Sequence, residues 1–264
     1  MRLLALIRKN SFFICDSFME NSPKKVLIEL DHVSVSYKLP TQKLDGLKDY
    51  VIRLFKGDLR YDKYEVLDDV SLKIFAGESI ALVGRNGVGK STLLRVIAKI
   101  IPPEKGTVKV HGSLIPMLSV GAGFDSNASG KENVFINGAL LGYSKKEMES
   151  KYRSIVEFAE LEDFMNVPVK NYSSGMTSRL GFAIAVSTEP DVILVDEVLA
   201  VGDAKFRAKC AKKMEELQNK GVTFVVVSHS KQQVKELCKR AILIKDKKIA
   251  LDGTVDEIYK AYES

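Results

Sequence analysis

Short, nearly continuous apolar runs alternate along this chain with longer stretches of helical period. Ser79-Ile80-Ala81-Leu82-Val83, Asp191 to Val195 and Val222 to Val227 are the runs expected of strands buried on both faces of a parallel sheet. Val26 to Leu30, Val33 to Tyr37, Val66 to Ile74 and Thr107 to Val110 carry the alternation and β-branching of half-buried strands. Helical spacing fills the gaps: a helix opening near Leu93, two between Gly130 and Leu161, one over Thr177–Val186 and one over Phe206–Lys220. A last helix is expected to begin at Val234–Cys238, ahead of a hairpin formed by Ala241–Ile244 and Lys248–Leu251. Ser144 with Glu147 reads as a capping box opening the second helix of the Gly130–Leu161 stretch. Strands alternating with helices predict an α/β fold with a mainly parallel sheet. Within it, the helices from about Gly130 to Ala185 form an insertion between core strands.

One stretch departs from this rhythm. Between Thr41 and Tyr64, Leu44, Leu47, Val51, Leu54 and Phe55 recur at helical spacing, with Lys43, Asp45, Lys48, Asp49, Arg53 and Lys56 on the other face. That predicts an amphipathic helix followed by a charged loop. It could pack on its own domain, or lie against a membrane partner or the membrane surface.

Composition narrows the class only slightly. The 264 residues, 45% hydrophobic and 28% charged, suit a globular protein with a sizeable core. No run reaches the ~18 apolar residues that a membrane-spanning helix requires. The net charge of +6 would suit acidic head groups or polyanions, but no dense basic tract with interleaved aromatics speaks for nucleic acid. Cys15, Cys210 and Cys238 are too few and too scattered for a disulfide frame or a metal site, and read as reduced thiols. Met1–Phe18 has an apolar stretch broken by Arg8-Lys9-Asn10, with no clean cleavage site for a signal peptide. A weakly ordered extension, a true start at Met19 and a short amphipathic surface anchor all remain open there.

The chemistry is concentrated after the first buried run. Gly84-Arg85-Asn86-Gly87-Val88-Gly89-Lys90-Ser91-Thr92 fits the phosphate-binding pattern G-x-x-x-x-G-K-[ST], here in its required strand–loop–helix setting. Backbone N–H groups and the positive end of the following helix hold an anion. Lys90 adds a mobile positive charge, and the Ser91 hydroxyl a ligand for Mg²⁺. A nucleoside triphosphate site of this kind needs a second carboxylate near the metal. Asp196, at the end of the buried strand Val192–Asp196, supplies it through water, and Glu197 stands next to it to orient the attacking water. His229 ends another buried run and is placed to contact the γ-phosphate or the water. His32 and His111 have no such setting and read as structural. Tyr172-Ser173-Ser174-Gly175-Met176 opens a helix and is a weaker, second anion-binding element.

In this order, the phosphate loop, the Ser-Ser-Gly helix start, the Asp-Glu strand end and the histidine resemble the nucleotide-binding domain of an ABC transporter, over roughly Val26 to Glu263. The likeness extends to the ATP-binding subunits of exporters of O-antigen, capsular polysaccharide and teichoic acid. It is carried by Gly121-Ala122-Gly123-Phe124 with GKENVFINGALLG, by YSSGM with SRLGFAIA, and by VDEVLAVGDAKFRAKC. Ser174 and Met176 stand where glycine and glutamine are usual in the wider family, and no glutamine lies between Thr92 and Tyr172, where Gly121–Phe124 occupies the expected place.

The resemblance implies a P-loop NTPase core with a mainly parallel sheet, an antiparallel β subdomain and an inserted α-helical subdomain at about 125–187. It implies one ATPase domain over 23–264 with an insertion at about 41–64, preceded by a weakly ordered extension over 1–22. By the same resemblance Tyr37 stacks on adenine, Ser173, Ser174 and Gly175 act across a dimer, and Asp203 belongs to the loop that crosses its interface. The expected ligands are ATP and Mg²⁺. The expected partners are a second copy arranged head to tail, a polytopic permease and a lipid-linked polysaccharide, with no nucleic acid. The expected location is peripheral, on the cytoplasmic face of the inner membrane. Some members carry an added carbohydrate-binding domain at the C-terminus, which a chain ending at Ser264 is expected to lack. The alternatives are the ATPase of another ABC transporter, for lipid or drug export, and a soluble ABC-type ATPase.

Overall fold

The computed structural model describes residues 25–40, 61–118, 121, 123–196, 202–228 and 230–263. The N-terminal extension, the amphipathic stretch after Pro40, Glu197 and His229 lie outside them.

A three-stranded antiparallel sheet, ordered β2-β1-β4, is built from β1 (Val26–Pro40), β2 (Tyr61–Phe75) and β4 (Lys105–Val110). The main sheet has six strands in the order β5-β6-β7-β3-β8-β9. These are β3 (Ser79–Val83), β5 (Leu114–Met117), β6 (Val192–Asp196), β7 (Thr223–Val227), β8 (Arg240–Lys245) and β9 (Lys248–Thr254). The first five pair in parallel and β9 closes the edge antiparallel to β8. The helices are α1 (Lys90–Ile97), α2 (Gly130–Leu140), α3 (Lys145–Ala159), α4 (Ser174–Ser187), α5 (Ala204–Asn219), α6 (Lys231–Leu237) and α7 (Val255–Glu263).

The apolar runs are continuous because each face of the main sheet is covered by a different layer. Ala81, Val83, Ile193, Val195, Phe224 and Val226 point into one core, shared with Phe182 of α4, Phe206 of α5 and Ile258 of α7. Their neighbours Ile80, Leu82, Val192, Leu194, Val225 and Val227 point into the other, shared with Leu93, Leu94 and Ile97 of α1 and with β1 and β2. Period-2 alternation therefore sorts side chains between two buried layers rather than between core and water. A third core joins α2, α3 and α4 through Val134, Met148, Ile155, Leu180 and Ile184. Gly138 permits this approach, since a Cβ there would stand 2.3 Å from Met148. The expected capping box at Ser144 and Glu147 opens α3, and a second one, Ser129 with Glu132, opens α2.

Three elements differ from expectation. Strand β2 begins at Tyr61, so the charged residues before Val66 are strand rather than loop. Backbone pairing with 36–40 of β1 holds them there, reinforced by an ion pair between Lys63 and Glu104 at 2.6 Å. Helix α6 spans Lys231–Leu237, capped by Ser230, and ends where a helix was expected to begin. Strand β5, with Pro116 inside it, sits at the sheet edge, where a missing N–H is tolerated.

Candidate functional site

All parallel strands of the main sheet present their carboxyl ends along one edge, where ligands of open α/β sheets bind. The P-loop follows β3 at that edge. Two glycines fix its path. Gly84 has φ 154° and a Cβ there would lie 2.5 Å from the Ile244 carbonyl. Gly89 has φ 113° and would meet Leu67 Cδ2 at 2.9 Å. The loop is thus pressed between β8 on one side and β2 on the other.

Gly89 is also the N-cap of α1, and no side chain caps that helix end. By contrast, α2 to α6 each close their first turn with a Ser or Asp side chain. The first-turn N–H groups of α1 thus meet no competing side-chain acceptor at the cap. The Lys90 ammonium is buried in the loop and donates to the carbonyls of Gly84 (2.7 Å) and Arg85 (2.9 Å). Arg85, Asn86 and Gly87 form the exposed rim and Val88 is half-buried.

A pocket of about 510 Å³ opens over this loop. Its floor is Asn86, Gly87, Gly89, Lys90, Ser91 and Thr92, and its walls are Tyr37 of β1, Tyr64 and Val66 of β2, and Val227 at the end of β7. Tyr37 is half-buried, with its hydroxyl 3.5 Å from that of Thr92. Asp196 ends β6, half-buried and paired in register with Val227, and α1 packs against that strand. Ser91 and Asp196 therefore lie at the same sheet edge. Among the described residues no cluster of three or more His, Cys, Asp or Glu could hold a metal alone. A hydroxyl plus a water-bridged carboxylate instead suits Mg²⁺ whose remaining ligands are phosphate oxygens and water.

The Ser-Ser-Gly element is folded differently. Helix α4 starts at Ser174, so Ser174 and Gly175 form its first turn and Ser173 is the N-cap. Ser173 Oγ accepts the Met176 N–H at 3.2 Å. Ser173 and Ser174 are exposed and do not line the pocket over the P-loop. Within one chain, Ser173–Gly175 do not join the pocket over the P-loop.

Asp203 ties α4 to α5. Its Oδ1 accepts the Phe206 N–H at 2.8 Å and caps α5, while Oδ2 accepts from Arg179 Nη2 of α4 at 2.7 Å. The cap first, then the arginine, hold the carboxyl below its ordinary range. Arg179 also reaches Glu160 at 3.2 Å and lies over the Phe206 ring. Cys210 and Cys238 are buried free thiols, pushed up to about 12 by desolvation and hence inert. His32 pairs with Asp69 at 2.6 Å on the surface, away from the site.

Two residues of consequence have little sequence signal. Tyr64 stands opposite Tyr37 across β1 and β2, which only the pairing register discloses. Asn133 is fully buried in α2. It donates to the carbonyls of Asp125 (2.9 Å) and Ser129 (3.0 Å) and accepts from the Asp125 N–H (2.8 Å), pinning the loop after Gly121–Phe124. Gly121 lies against Thr177 of α4.

Comparison with known proteins decides the family. The ABC transporter family model matches residues 67–200, from the strand under the P-loop to just past Asp196. The O-antigen export system ATP-binding protein RfbB of Klebsiella pneumoniae is 40% identical over 243 residues, covering 90% of this chain and 97% of that protein.

The chain belongs to the ABC transporter family.

It is an ATPase domain of that family, and such a domain binds nucleotide. The teichoic acids export ATP-binding protein TagH of Listeria monocytogenes is 38% identical over 240 residues, 91% of this chain and 70% of that one. The ABC transporter protein AbcA of Aeromonas salmonicida is 43% identical over 199 residues, 75% and 65% respectively. Among solved structures, the ATP-binding subunit of an ABC transporter shares the fold with TM-score 0.71 at 20% identity, covering 90% of this chain and 93% of that one. The ATP-binding cassette MJ0796, solved as a post-hydrolysis dimer with ADP and phosphate, gives 0.67 at 22%, covering 87% and 99%. No helix of the described residues is long and apolar enough to cross a membrane.

Proposed function

We propose that this chain is the ATP-hydrolysing subunit of an exporter that moves a lipid-linked, O-antigen-like polysaccharide across the cytoplasmic membrane. The observation that carries the reading is the likeness to O-antigen export ATP-binding proteins over nearly their whole length, with an open phosphate cradle at the point the family requires. Gly84 to Thr92 hold the triphosphate and Lys90 neutralises its charge. Tyr37 stacks on the adenine, and Ser91 and Asp196 hold Mg²⁺, the latter through water. The metal, when bound, offsets charge on the phosphate oxygens. Glu197 orients the water whose oxygen bonds to the γ-phosphorus as the bond to the β-phosphate oxygen breaks, and His229 contacts the γ-phosphate.

The site is completed by Ser173, Ser174 and Gly175 of a second copy placed head to tail, with Asp203 at the crossing. ATP binds this closed pair better than the open one and shifts the equilibrium toward it. Hydrolysis removes the charge that joined the halves. The helical subdomain carries the motion to a polytopic permease, which keeps the chain peripheral on the cytoplasmic face of the membrane. Ile136 (36% exposed) and Leu140 (70% exposed) one turn apart on α2 give that subdomain an apolar face for such a partner.

Deletion of the gene tests the assignment. Surface polysaccharide is lost and lipid-linked polymer accumulates inside the cell. The wild-type gene restores export, whereas Lys90→Ala and Glu197→Gln do not. Unchanged surface polysaccharide with loss of a lipid or drug efflux would favour the other transporter class instead.

A further inference from the structure

We propose that Tyr64 is a second aromatic contact for the nucleobase, so that the base site is a pair of tyrosines rather than Tyr37 alone. The inference rests on the assignment of the pocket over the P-loop to ATP. Tyr37 and Tyr64 are register partners across the antiparallel β1–β2 pair, and residues directly opposite share a face with Cβ atoms ~5 Å apart. Val66, the extra residue of the bulge where Val35 pairs with Leu67 and Ser36 with Glu65, lines the same pocket as Tyr64, close enough to the loop that a Cβ on Gly89 would meet its Cγ1 at 3.2 Å. The intervening Glu65 instead pairs with Lys247 at 3.7 Å.

Tyr64 is 54% exposed, so its ring is open to a ligand in the pocket that it lines. The phosphate-binding groups, Lys90, Ser91 and Gly87, form the floor, and the two rings stand at the wall. A planar, polarisable ligand face laid against both rings would cover the apolar surface that Tyr64 leaves in water.

The test uses the full chain with Mg²⁺ chelated, so that no turnover occurs, and calorimetric titration with ATP and with inorganic tripolyphosphate. Tyr64→Ala is expected to weaken ATP about tenfold, as loss of one base–aromatic stack does. Tripolyphosphate, which has no base, should keep its wild-type affinity, and Tyr64→Phe should bind ATP like wild type. An unchanged ATP affinity in Tyr64→Ala overturns the proposal. So does an equal loss for both ligands, which would make Tyr64 a support of the strands. A wild-type chain with no ATP affinity would contradict the assignment of the pocket itself.

Discussion

The N-termini of α1 and α4 are two helix ends built in opposite ways. At α1 the cap is Gly89, with no side chain to compete for the first-turn N–H groups, and a buried Lys90 ammonium sits inside the loop. A pocket with an aromatic wall stands over it. At α4 the cap is Ser173, whose Oγ already accepts from Met176. That end is exposed and carries no lysine in its first turn. The first is a binding site in one chain. The second presents Ser174 and Gly175 in the first turn of a capped helix, outside the pocket over the P-loop. A helix dipole makes a site within one chain when the first-turn donors are left unclaimed and walls stand around them.

Substitutions at the two helix ends should have unequal effects. The largest effect belongs to Lys90→Ala, which should weaken ATP binding and cut hydrolysis by about 100-fold or more by removing charge compensation at the phosphates. ATP titration and phosphate release measure the two. Ser174→Glu should act differently, lowering hydrolysis at least ~10-fold by setting a carboxylate against phosphate charge while leaving the ATP affinity of a single copy unchanged. Equal loss of binding would place α4 at the site of its own chain. Besides its proposed contact across the pair, Ser173→Ala removes a cap worth about 1 kcal/mol and should lower the melting temperature of the nucleotide-free single chain by about 3 °C, with Ser173→Asp restoring it.

The smallest effect is in acid. The Asp203 carboxyl is held low by the α5 cap and then by Arg179. Its contribution is therefore present above the ordinary carboxylate pKa and lost as pH falls through the lower folded value. Asp203→Asn, which keeps a cap but not the charge, should flatten that part of the pH–stability curve measured by thermal melts.

Legibility in the sequence followed how local each signal is. The P-loop could be read directly because its function requires glycines and a lysine at fixed spacing, and the buried runs of β3, β6 and β7 because both faces of the sheet are covered. Asp196 followed from the end of such a run. Strand β5 was hidden because it is four residues long and contains Pro116, tolerable only at an edge that the sequence does not reveal. Residues 61–65 read as loop because charge dominates them, and their strand character comes from β1 and Glu104. Tyr64 and Asn133 owe their positions to cross-strand register and to the loop beneath α2, both properties of tertiary pairing. Helix α7 was not anticipated, although its buried Val255, Ile258 and Tyr259 recur at helical spacing.

We propose that the open P-loop of one copy works only with the α4 end of another. Mixing two impaired variants, Lys90→Ala and Ser174→Glu, separates this arrangement from one in which both elements serve the same chain. In a symmetric head-to-tail pair, each mixed dimer contains one site with an intact P-loop facing an intact α4, and random exchange makes about half the dimers mixed. ATP hydrolysis should therefore recover to about a quarter of wild type, half the dimers each holding one working site of two. A mixture no more active than its two components measured separately would show that both elements serve the same chain and would rule out a shared site.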